Sequence, residues 1–190
     1  MSWKNTLFLL AMDVLWLVLF GGVVVGTILA LEGVHQTLTF GYGITSPYVV
    51  YPVLAVLAPN VYIIICGMLC RLLVPRLSEG QYSTNSRFFL YWRLSWHFYS
   101  LVYVFFHKYL FYNRLIRYLF LRLMRVEIEY STYFAETVNL QDANNLLSFG
   151  ANSSFGSEVL MATHLQLPSK SIVFGRLRVG ESCVVAARAC

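Results

Sequence analysis

The sequence predicts a membrane protein that is helical towards its amino end and β-structured towards its carboxyl end. The expected order is two transmembrane helices, interfacial aromatic and basic helices, then a short left-handed parallel β-helix of about three coils. Three observations lead there. The composition is 58% apolar and only 12% charged, where soluble domains run at roughly 45–50% and about 25%, and the mean hydropathy is +0.62. Two long apolar runs occupy most of the stretch before Arg76. After Arg125, large apolar residues return at every sixth position.

The first apolar run, Leu7–Leu31, holds a single charge, Asp13. As a helix it would be about 37 Å long at about 1.5 Å per residue, enough to cross a hydrocarbon core of about 30 Å with some tilt. A secretory signal is the competing reading, because Lys4 precedes the run. Signal cores are shorter, about 7–15 residues, so a retained anchor is expected. Asp13 either marks an ion path or pairs with an interfacial cation.

The second run, Tyr48–Val74, contains Pro52 and Pro59-Asn60. Proline removes a helical hydrogen bond, so a packed kink is expected near Pro59. The connector Glu32–Pro47 has no Lys or Arg, whereas Lys4 flanks the first run and Arg71 and Arg76 close the second. The positive-inside rule then places both termini in the cytosol and the connector outside. The sequon Asn152-Ser153-Ser154 is therefore expected to face the cytosol and stay unmodified. The membrane domain is expected to end at residue 76.

Residues 77–125 read as interfacial amphipathic helices. Arg71–Arg125 carries nine of the fourteen Lys and Arg residues against one acid, Glu79, and fifteen aromatics fall between Phe88 and Phe120. Only fourteen residues separate Arg93 from Lys108, short of the ~20 that a third span needs. Arg114, Arg117 and Arg122 recur at helical spacing. The expected partner is the lipid bilayer, with aromatics at headgroup depth and cations towards anionic lipid. A re-entrant hairpin through Phe98–Phe106 is an open alternative. Nucleic acid is not an expected partner despite the interleaved basic and aromatic residues, because membrane spans adjoin them.

Residues 126–190 carry the six-residue period: Ile128, Phe134, Leu140, then Phe149, Phe155, Met161, then Val173, Val179, Val185. Small residues tend to follow directly, as at Ala135, Gly150, Gly156 and Gly180, or four places later, as at Thr132 and Ser153. A parallel β-helix with three six-residue faces per coil gives this pattern, the large residue stacking inside. The coils are expected at Ile128–Asn145, Phe149–Gln166 and Val173–Cys190, with Leu146–Ser148 inserted and Leu167–Ile172 as a loop. Phe174, Gln141 and Leu177 depart from the pattern. The last coil needs a further coil, a helix or a subunit to cover its polar ladder.

The segments Tyr91-Trp92-Arg93, Arg122 to Ile128, Asp142 to Gly156 and Val179 to Ala187 carry a resemblance. From about Gly67 onwards the chain resembles the carboxyl-terminal membrane region of polylysine-synthetase-like nonribosomal peptide synthetases. The resemblance implies an acyltransferase-like module that moves an acyl or aminoacyl group from a thioester to an amine or hydroxyl. It implies coenzyme A or phosphopantetheine as the thioester donor, a carrier protein as a partner, and no tightly bound cofactor. The catalytic candidate it points to is His164, whose side-chain type titrates near neutrality and suits a general base; Asp142 is the second candidate. No adenylation domain and no Gly-Asp-Ser-like carrier site are present, which leaves a catalytically inactive scaffold, docking or oligomerising through its β-helix, as the alternative. No metal ligand set is expected: the four cysteines lack metal-site spacing, and His97 and His107 read as membrane packing.

Overall fold

The structure, a computed structural model, describes residues 3–135 and 137–189; Cys190 and the side chains of Lys4 and Asp13 lie outside the described residues. The chain is a mixture of helix and strand in two compact units, Met1–Ile65 and Cys66–Cys190. The division falls inside the second helix, whereas the sequence reading ends its membrane domain at Arg76.

In the first unit, helix α1 spans Trp3–Gln36 and continues into a π-helical turn, Thr37–Gly41. It outlasts its apolar run because side chains support the extension: Gln36 Nε2 donates to Glu32 Oε1 at 3.1 Å, and Thr37 Oγ1 donates to the Gly33 carbonyl at 2.8 Å. Helix α2 spans Pro47–Leu73 and runs through both Pro52 and Pro59 without interruption. Beside Pro59, the Asn60 amide donates to the Val56 carbonyl at 2.8 Å. Among the described residues, Phe20–Gly41 and Pro47–Leu73 are long and apolar enough to cross a membrane.

The second unit takes the end of α2, strand β1 (Gly80–Ser83), helix α3 (Arg87–Tyr112) and helix α4 (Arg114–Leu123). Ser86 caps α3 by accepting from the Phe89 N–H, and Asn113 caps α4 by accepting from the Ile116 N–H. Phe98–Phe106, the stretch of the alternative hairpin, lies within α3, which kinks at the non-helical backbone of Phe106. The aromatic belt is partly internal: Trp92, Phe98, Tyr99, Phe111 and Phe120 are buried, while Trp96, Phe105 and Tyr112 are exposed. Arg117 also turns inward. It donates to the carbonyls of Phe111 and Thr132 at 2.9 and 3.4 Å, over the Phe134 ring. Burial, reinforced by the Arg114 charge, lowers its pKa to about 10.

Short strands follow: β2 (Glu127–Ile128), β3 (Tyr133–Phe134), β4 (Asn139–Leu140), β5 (Leu147–Phe149), β6 (Ser154–Phe155) and β7 (Leu160–Met161). Then come β8 (His164–Leu167), β9 (Ser171–Phe174), β10 (Leu177–Val179) and β11 (Val184–Val185). Three small parallel sheets have the orders β10–β5–β2, β11–β6–β3 and β4–β7. Their registers pair Ile128 with Phe149, Phe149 with Val179, Phe134 with Phe155, Phe155 with Val185, and Leu140 with Met161. Phe134 stacks on Phe155 with centroids 4.8 Å apart. Thr132, Val138, Ser153 and Val159 share this interior.

Glycine is required where the sheets come closest. A Cβ on Gly150 would lie 2.5 Å from the Glu181 nitrogen, and one on Gly156 would lie 2.6 Å from the Ala187 nitrogen.

Val173 does not open a third set of faces. β8 and β9 form an antiparallel hairpin, with Val173 opposite Leu165, and β1 joins its other edge. The buried residues are Ile172 and Phe174, which pack with Leu77, Trp92 and Leu146. Alternation of period two decides the matter here: with Ile172 and Phe174 large and apolar in an antiparallel sheet, Phe174 faces inward and Val173 cannot do so fully. The stretch expected as the loop Leu167–Ile172 is thus the tip and one arm of a hairpin, and the parallel pairing resumes at Leu177.

Candidate active site

The two residues singled out in the sequence meet. His164 opens β8, instead of completing the second coil, and Asp142 lies in the turn after β4. His164 Nδ1 is 2.6 Å from Asp142 Oδ2. The Asp142 side chain is completely buried, and that of His164 keeps 20% of its surface exposed.

Two further groups fix the carboxylate. The Trp92 Nε1–H donates to Oδ1 at 2.7 Å, and the Thr163 backbone N–H donates to Oδ2 at 2.6 Å. An indole N–H and an amide N–H can only donate, so Asp142 serves them as the acceptor. In the neutral tautomer that donates from Nδ1 to this carboxylate, Nε2 is the nitrogen that carries the lone pair. The Trp92 ring lies 4.7 Å from the imidazole, and Phe174 lies 6.2 Å away on the hairpin. The surrounding turn is held by Asn144, whose Oδ1 accepts from the Leu146 N–H at 2.8 Å.

The imidazole borders a shallow surface groove of about 300 Å³, together with Thr163, Val173, Gly175, Arg176 and Leu177. An oriented imidazole with one nitrogen bonded to a buried carboxylate is chemically competent to accept a proton at the other nitrogen. The sequence places Trp92 in the interfacial belt. Its role here, 50 positions from Asp142, shows locally only in that a buried indole N–H requires an acceptor.

Other described histidines and cysteines of the second unit sit elsewhere. His97 is buried in α3 against Trp96, and His107 lies beside Tyr103. Cys66 and Cys70 are buried free thiols, and Cys183 is a half-buried one. Among the described residues no group of three or more His, Cys, Asp or Glu is placed to hold a metal ion. No protein-family model, no curated protein and no solved structure matches the chain.

Proposed function

We propose that this chain is a membrane-anchored, acyltransferase-like module that transfers an acyl or aminoacyl group from a thioester to an amine or hydroxyl. The contact between His164 and Asp142 carries the proposal. In this reading His164 Nε2 takes the proton of the acceptor as its nitrogen or oxygen attacks the thioester carbonyl. The C–S bond then breaks, and the imidazolium returns that proton to the leaving thiolate. Asp142, through Nδ1, holds the ring orientation and compensates the transient positive charge. Coenzyme A or a carrier-bound phosphopantetheine is the donor class implied by the resemblance.

The proposed scaffold is a left-handed parallel β-helix of hexapeptide repeats. The parallel registers of Ile128 with Phe149 and Phe149 with Val179 support it, as do residues of positive φ six positions apart at Asn152 and Glu158, and at Ser182 and Arg188. The hairpin β8–β9 interrupts it between the second and third turns. In this reading α1 and α2 are the anchor, both termini are cytosolic, and the exposed Val104, Phe105, Tyr112 and Leu115 face the bilayer surface.

A non-catalytic scaffold is the second reading. It is favoured by the bonds from Trp92 and Thr163, which would hold α3 against the strands whatever His164 does. Turnover separates the two. The full chain in nanodiscs is offered coenzyme-bound and carrier-bound acyl thioesters with amine and hydroxyl acceptors. His164→Ala should lower transfer by about 10²–10⁴-fold with little change in melting. Absence of transfer by the unaltered chain on every thioester would leave the scaffold.

A further inference from the structure

A second cavity, of about 260 Å³, is lined by Arg71, Arg76, Arg122, Arg125 and Arg176, with Glu127 as its one carboxylate. All of these residues belong to the second unit. Five guanidiniums around so small a space repel one another, and the protein does little to neutralise them. Arg71 Nη1 donates to the Arg122 carbonyl at 3.3 Å, and Arg125 Nη2 donates to the Arg71 carbonyl at 2.9 Å. These are bonds to neutral oxygens at two helix ends; they position the arginines without cancelling their charge. Arg125 Nε–H is buried without a hydrogen-bond partner. Among the described residues only Arg176 has a nearby acid outside the cavity lining, Glu79 at 3.4 Å, and that pair is solvent-exposed.

Arg125 also stands at φ 69° directly after the turn that ends α4. This is a turn conformation that Asn152, Glu158, Lys170, Ser182 and Arg188 also adopt.

We propose that this cavity binds a phosphate monoester, the class of anion whose charge and planar oxygen pairs match several guanidinium forks. The source we favour is the headgroup of an anionic lipid. Arg71 occupies the last turn of α2, which is long and apolar enough to cross a membrane, and Arg76 follows a few residues later. A headgroup at that depth would reach the arginines while its chains stay beside the helix. The cavity stands independently of any chemistry at His164.

The test uses the full chain in nanodiscs of phosphatidylcholine alone, or with phosphatidate, or with phosphatidylglycerol at matched surface charge. Lipids retained are counted by native mass spectrometry, and melting is recorded. Glycerol 3-phosphate titrated into the phosphatidylcholine discs serves as the soluble probe. Phosphatidate should be retained and should raise the melting temperature more than phosphatidylglycerol does. Arg76→Gln with Arg176→Gln, both on exposed side chains, should weaken that binding by about 10- to 100-fold. The control pair Arg87→Gln with Arg178→Gln removes equal charge outside the cavity and should leave binding unchanged. Binding of glycerol 3-phosphate with no phosphatidate advantage would overturn the lipid source and assign the site a soluble phosphate monoester. Equal loss in both variant pairs, or no stabilisation by either probe, overturns the proposal.

Discussion

The 2.6 Å contact between Asp142 Oδ2 and His164 Nδ1 joins a buried turn to the first residue of a surface hairpin. The same carboxylate anchors α3 through Trp92. One side chain therefore holds three pieces of the second unit together, and its loss should cost far more than loss of the histidine. Asp142→Ala leaves the Trp92 and Thr163 N–H groups without their acceptor, an expected penalty of about 2–5 kcal/mol. His164→Ala removes a partly exposed ring and should cost about 1 kcal/mol, because Asp142 keeps its other two donors. Denaturant midpoints of the two variants check this, and equal destabilisation would mean that Asp142 is not the organising group.

Gly150 and Gly156 set the spacing of the parallel strands. Alanine at either position would press a methyl group against backbone, at Glu181 or at Ala187, which cannot rotate away. Each substitution should destabilise by about 1–3 kcal/mol. Gly175→Ala supplies the comparison: nothing lies within 4 Å of the added carbon there, so its effect should stay within about 0.5 kcal/mol. Thermal melting of the three variants is sufficient.

The hairpin makes a sharper test of register. Ile172 and Phe174 are buried, while Val173 between them is only half-buried. Ile172→Asp and Phe174→Asp each place a charge among Leu77, Trp92 and Leu146, and should unfold the hairpin or the unit. Val173→Asp should be tolerated. A strong effect at Val173 with mild effects at its neighbours would restore the inward position that the six-residue count gives it.

Residue pattern made part of this architecture legible. Composition and run length point to the two apolar helices, because hydrophobic length is a local property. Ile128, Phe134, Leu140, Phe149, Phe155 and Met161 are all buried and paired as their spacing implies, since period fixes which face each residue joins. Val173 fits the same count and still lies elsewhere. An antiparallel hairpin with Gly80–Ser83 alongside offers Ile172 and Phe174 a better-packed interior, and no local count weighs that distant strand. His164 and Asp142 each stood out, but their contact depends on the hairpin. The inward turn of Trp92 and Arg117 was hidden because burial of a helix face depends on what packs there, and the strands that cover them come later in the chain.

Arg117 allows a direct check of that inward turn. Its guanidinium spans two carbonyls, from Phe111 and from Thr132, while lying 5.2 Å from the Phe134 ring centre. Lysine has the charge but not the fork, so Arg117→Lys should lose one charged hydrogen bond and cost about 1.5–3 kcal/mol. The same exchange at exposed Arg114 should be milder. If both variants melt alike, Arg117 is not enclosed as described.

The proposed topology rests on where charge is absent. Between Glu32 and Pro47 there is no Lys or Arg, while Arg71 and Arg76 close the far end of α2. The non-helical part of this connector is short, Tyr42–Ser46; its exposed Tyr42, and exposed Tyr48 in the first turn of α2, are suited to an interface. Carrying arginines across a membrane is costly, whereas this connector holds no Lys or Arg, and its titratable side chains other than tyrosine are Glu32 and His35. Sequons or reporters placed at Gly43 should therefore read as external or luminal, and fusions after Arg76 as cytosolic. Asn152 supplies an independent readout, because it is exposed and begins a native sequon. Its side chain should carry no glycan in a secretory-pathway host, while an engineered sequon in the connector acquires one if its distance from the bilayer permits. Cysteine labelling at Gly43 with an impermeant maleimide removes that distance requirement. Labelling from outside at Gly43, with Asn152 unmodified, supports cytosolic termini; a glycan on Asn152 reverses the orientation and places the His164 groove on the other side of the membrane.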